Sequence, residues 1–68
     1  MNEQLFQYVV YLHPTPEGRK KGEKTQVIVQ PSDWILGTEN EIKMKAVRQI
    51  PESLLVNADR LEVAVRPF

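Results

Sequence analysis

Residues 38 to 51 read TENEIKMKAVRQIP, and this stretch decides most of what the chain can fold into. Thr38 followed three positions on by Glu41 is a capping box. The hydroxyl accepts the backbone N–H of Glu41 and the carboxylate accepts that of Thr38, so a helix starts here. Pro51 disfavours the α conformation at Ile50, which ends the helix at about Gln49. Between these limits Ile42, Ala46 and Ile50 fall within about 80° of one another, with Val47 on the flank, so only a narrow stripe is fit for burial. Lys43 projects near that stripe, where its alkyl stem can pack while the ammonium reaches water. Glu39 with Lys43, and Glu41 with Lys45, stand four apart in the orientation that favours ion pairing. One helix with one stripe needs another element to lie on, and the remaining apolar segments are strand-like.

LFQYVVYLH (5 to 13) alternates with a period of two, placing Phe6, Tyr8, Val10 and Leu12 on one face and Gln7, Val9, Tyr11 and His13 on the other. Both faces are partly apolar, which predicts a central strand. TQVIVQ (25 to 30) predicts a second strand, with Val27 and Val29 facing in and Gln26, Ile28 and Gln30 facing out, stopped by Pro31. PESLLVNAD (51 to 59) reads as a turn or single helical turn whose Leu54 and Leu55 close the core. RLEVAVRPF (60 to 68) predicts a third strand, with Leu61, Val63 and Val65 facing in. The order is ββαβ. The expected fold is α+β: a three-stranded antiparallel sheet, order 2-1-3, with one helix packed on one face. Residues 1–68 form a single domain without repeats or linkers.

A chain of 68 residues buries only about 60% of the surface exposed by its unfolded form, so its core leaves a thin stability margin. Without cysteine there is no disulfide to add to it. A homo-oligomer is therefore expected. Nine basic and nine acidic side chains cancel, so no global field draws the chain to nucleic acid or to an anionic membrane. The first residues lack the pattern of a signal peptide, and no apolar run approaches the roughly 20 residues of a membrane span, so a soluble, cytoplasmic chain is expected.

The sheet face away from the helix carries an apolar band of Val9, Tyr11, Ile28 and Ala64 among Gln7, Gln26, Gln30, Glu62 and Arg66. It is a candidate subunit or partner interface. Trp34, in PSDWILG, is expected to seal one end of the core, with a partner contact or a base-stacking platform as the alternative. PTPEGRKKGEK (14 to 24) gathers Arg19, Lys20, Lys21 and Lys24 within six residues. Its prolines and glycines predict a solvated, mobile strand connection. Its local positive charge makes those four side chains candidate phosphate ligands in a nucleotide- or nucleic-acid-binding protein.

No enzyme is expected. His13 is the single histidine, and Ser32, Ser53, Asp33 and Asp59 stand in no spacing known for a nucleophile and its base. No phosphate-binding loop ends in GK[ST]. Carboxylates are scattered singly, so neither a metal site nor any cofactor is expected.

VRQIPESLL followed by LEVAVRPF, with the small layout, resembles the small accessory proteins encoded by tailed phages. The resemblance implies a role by binding: blocking a host enzyme or defence component, or sequestering a nucleotide signal. A small non-catalytic protein that binds and blocks a host protein is thus the first expectation. An oligomer binding nucleotide or nucleic acid through the basic loop 17–24 is the second.

Overall fold

The strand β1 (Gln4–Leu12) is hydrogen-bonded along both edges in a computed structural model that describes residues 3–68. β4 (Leu61–Pro67) pairs antiparallel with it from Phe6↔Pro67 to Leu12↔Leu61 and so occupies one whole edge. Along the other edge, β2 (Gln26–Val29) pairs with the far half and β3 (Ile35–Gly37) with the near half. Between them Ser32 bridges the gap: its N–H donates to the Tyr8 carbonyl at 2.9 Å, and its Oγ accepts the Tyr8 N–H at 3.0 Å. β2, β1 and β4 thus take the 2-1-3 order expected of the three predicted strands, and the short β3 makes the antiparallel sheet four-stranded.

The helix α2 (Glu39–Gln49) packs on β1 and β4. Its stripe lands as the spacing predicts, with Ile42 and Ala46 fully buried and Ile50 nearly so, against Phe6 and Val10. Tyr8, Ile28, Val29, Leu54, Leu61 and Val63 pack around the centre formed by Val10, Ala46 and Ile50. After Pro51 the chain runs through a 3₁₀ segment (Glu52–Arg60) kinked at Asn57. Here Leu54 packs on the core, whereas Leu55, expected to join it, is 47% exposed and Val56 is 84% exposed.

The capping box is complete. Glu41 N–H donates to Thr38 Oγ1 at 3.2 Å and Thr38 N–H to Glu41 Oε1 at 2.9 Å. The backbone hydrogen bond from Thr38, then its hydroxyl, hold the Glu41 carboxyl below its ordinary range, with a smaller contribution from the charge of Lys45. Turning back to Thr38 also explains why Glu41 makes no ion pair with Lys45. Among the described residues the one contact within 4.0 Å between a basic and an acidic side chain is His13–Glu62, an ion pair only when the imidazole carries a second proton, and Glu39 and Lys43 are likewise unpaired.

The second strand departs from simple alternation. Its register runs Val10↔Val29, Tyr11↔Val27 and Leu12↔Gln26, so Ile28 is an extra residue, a β-bulge. Two side chains, Ile28 and Val29, then face the core opposite Val10. Val27 moves to the outer face beside Tyr11, where it is 43% exposed. Ile28 is therefore a core contact and not part of the outer band.

The connection from β1 to β2, expected to be solvated and mobile, folds in part. α1 (Pro16–Lys20) is capped by Thr15, whose Oγ1 accepts the Gly18 N–H at 3.0 Å, and Pro16 supplies the fixed φ that suits a first helical position. Gly22, at φ +94°, ends it in a conformation that other residues adopt at a cost. Gly18 is buried.

Thr38→Ala is expected to cost about 0.5–2 kcal/mol in chemical denaturation, and Ser53→Ala clearly less. Because the Glu41 pKa is depressed on folding, its stabilisation is present above the ordinary carboxylate range and lost as pH falls through the folded value. The stability gap between the natural chain and Glu41→Gln should therefore narrow as pH is lowered from neutral through and below the ordinary carboxylate range. The bulge predicts that Ile28→Ala costs about 1–3 kcal/mol, whereas Val27→Ala in dilute solution stays within about 0.5 kcal/mol. Equal losses would place the bulge elsewhere.

Candidate functional site

The register that sends Phe6, Tyr8, Val10 and Leu12 towards α2 sends Leu5, Gln7, Val9 and Tyr11 to the opposite face, with Glu62, Ala64 and Arg66 of β4 beside them. No helix covers this side. Val9, Tyr11 and Ala64 come together as expected, and with Gln7, Pro31 and Arg66 they line a shallow groove of about 380 Å³.

Polar side chains organise the groove. Arg66 Nε–H donates to Gln7 Oε1 at 2.9 Å, and Gln7 Nε2 donates to the Ser32 carbonyl at 2.9 Å. This chain of bonds crosses all three strand positions and places Arg66 Cζ over the Trp34 ring, 5.7 Å from its centre. Trp34 is not the core seal expected of it. It is 37% exposed and meets Phe68 edge to face, with ring centres 5.1 Å apart at 89°. Such a pair is worth about 0.5–1.5 kcal/mol beyond its buried area. Phe68 reaches this place because its N–H donates to the Leu5 carbonyl at 2.9 Å, continuing the β1–β4 ladder. Phe68 is 83% exposed and Leu36, paired with Leu5, 65%. Leu5, Leu36, Phe68 and Val27 thus enlarge the predicted band. Continuing the alternation of the two long strands would have found Leu5 and Phe68.

The basic residues do not form one cluster around a cavity. Arg19 and Lys20 occupy the last turn of α1, Lys21 follows it, and all three are exposed. Lys24 instead lines a separate cleft of about 280 Å³ with His13, Pro14, Glu23 and Arg60. Above that cleft His13 links three segments: its Nδ1 lies 2.8 Å from Thr25 Oγ1 and its Nε2 2.6 Å from Glu62 Oε1. Hydroxyl, imidazole and carboxylate stand in the order of a catalytic relay, yet both ends open to water. The three groups tie the ends of β1, β2 and β4 together across the sheet, as cross-strand polar pairs do. Ser32, weighed as a nucleophile, is taken up by Tyr8 and donates its hydroxyl to the Asp33 carbonyl at 2.8 Å. Among the described residues no three His, Asp or Glu side chains gather to hold a metal ion, and no helix is long and apolar enough to cross a membrane.

Comparison with protein-family models, with curated proteins and with solved structures finds no match.

Proposed function

We propose that this chain is a small non-catalytic binding protein that lays the uncovered face of its sheet on a complementary surface of another protein. The observation that carries this reading is the aromatic end of that face: Trp34 against Phe68, with Arg66 over the indole and Leu5 and Leu36 alongside. Tryptophan and arginine are enriched among the few residues that dominate binding energy, and rigid aromatic rings lose little entropy when they are covered. The neighbouring Val9, Tyr11 and Ala64 extend the apolar area along the strands. The use we assign to the face follows the class of role implied by the phage resemblance, obstruction of a host enzyme or defence component in the host cytoplasm. It calls for no cofactor.

The basic turn supports a second reading, nucleotide or nucleic-acid binding. Among the described residues Arg19, Lys20, Lys21 and Lys24 have no carboxylate within 4.0 Å, so their charge is available to phosphate.

Immobilised natural chain, the face variant Y11R/W34A and the charge variant R19E/K20E/K21E are to be exposed to host lysate and the bound proteins identified by mass spectrometry. A defined protein held by the natural chain and by the charge variant, but lost from the face variant, is the expected result. Retention by the face variant would rule the sheet face out. For the second reading, titration calorimetry and gel shifts with mono-, di- and cyclic nucleotides, RNA and DNA at low salt decide. Binding that the charge variant loses, and that falls steeply with salt, would favour it.

A further inference from the structure

The uncovered face is self-complementary, and we infer that a second copy of this chain covers it whenever no other partner does, the two sheets packing face to face about a two-fold axis at Val9 and Ala64. The inference rests on the reading that this face is a protein contact, and it names the occupant.

Val9 and Ala64 pair directly across β1 and β4 and mark the middle of the face. Neither side chain is large, so a second sheet can approach to the roughly 10 Å typical of stacked sheets. Two residues along β4 in one direction stands Arg66, and two in the other stands Glu62, both on this face. A two-fold axis lying in the interface and perpendicular to the strands exchanges those positions. Arg66 then lies over Glu62 of the second copy, and the reverse contact forms with it, so one residue pair yields two ion pairs. The same rotation brings Tyr11 over Gln7 of the second copy, and Val27, paired with Tyr11, over the row that holds Trp34. Val27 and Trp34, 43% and 37% exposed, are thereby matched apolar to apolar. An axis parallel to the strands would instead set Glu62 against Val27 and pair no charges. The tilt of about 30° between packed sheets shifts groups two residues from the axis by about 3 Å, within reach of an arginine.

The groups in question are free for this contact. Arg66 commits its Nε–H to Gln7, which leaves its two terminal NH₂ groups, and Glu62 meets His13 through Oε1, which leaves Oε2. A nine-residue β1 and three strands make a face about 30 Å by 15 Å, at the small end for a stable interface. The homodimer is accordingly weak and exchangeable: it shields the apolar face and yields it to a tighter partner.

The test is sedimentation of the full chain from about 10 to 500 µM, a range matched to a small interface. The natural chain should dimerise reversibly. R66E and E62R should each raise the dimer dissociation constant at least about tenfold, since each sets like charges against one another twice. An equimolar mixture of R66E and E62R should recover dimers, because every facing pair is then of opposite sign. A natural chain monomeric throughout, or a mixture no better than its components, overturns the inference. Circular dichroism checks that both variants fold. Should E62R fail to fold for want of the His13 bond, A64R, which sets two arginines together at the axis, replaces it, and a dimer surviving in A64R overturns the inference equally. A monomeric natural chain whose Y11R/W34A variant still loses a captured host protein would remove the dimer and leave the face as a contact for that protein alone.

Discussion

The structure depends on β1 being paired along both edges. A strand with β4 on one side and β2, Ser32 and β3 in series on the other has its described backbone groups met almost throughout. That allows Val10 to be completely buried. Everything else is placed relative to this strand. α2 lies over the face bearing Phe6 and Val10 because Ile42, Ala46 and Ile50 form its apolar stripe, and the 3₁₀ segment returns the chain to the far edge in time for Leu61 to meet Leu12. The β-bulge at Ile28 serves the same centre, turning two β2 side chains inward where alternation would supply one.

The same pairing creates the exposed face. One helix covers one side of a sheet three strands wide, so the alternation that fills the core inevitably displays Val9, Tyr11 and Ala64 on the other. Full burial of a large apolar side chain is worth about 1.5–3 kcal/mol, and the fully covered core holds few of them. A domain so built gains from any contact that covers its second face. Arg66, Gln7 and Ser32 bond in sequence across the groove, which holds the guanidinium over Trp34. At the opposite end the polar tie of Thr25, His13 and Glu62 fastens the strands. The face thus has an aromatic end with a cation, Arg66, and a polar end with an anion, Glu62, and the self-association we infer rests on this asymmetry along β4.

What the sequence by itself determined is whatever depends on neighbours a few residues apart. The capping box at Thr38 and Glu41, the stop at Pro51, the stripe of α2 and the two faces of β1 and β4 are all legible, because one turn of helix or one strand repeat carries the whole cause. The cap of α1 has equally local causes, Thr15, Pro16 and Gly22, yet the prolines, glycines and charges of this stretch read as a mobile connection and the helix is missed. Tertiary structure alone decided the rest. Ile28 and Val27 exchange faces because the bulge arises from pairing with β1, and local alternation carries no record of its partner's register. β3 is too short to announce itself and exists because Leu5 offers it an edge. Trp34 sits on the outer face because Phe68, at the other end of the chain, is brought to it by the β1–β4 ladder. Glu41 turns from Lys45 to Thr38 because a carboxylate gains more from an unpaired N–H at a helix start than from an exposed ammonium. Local energies choose the elements, but which faces meet is settled only when distant segments compete for the same strand edge.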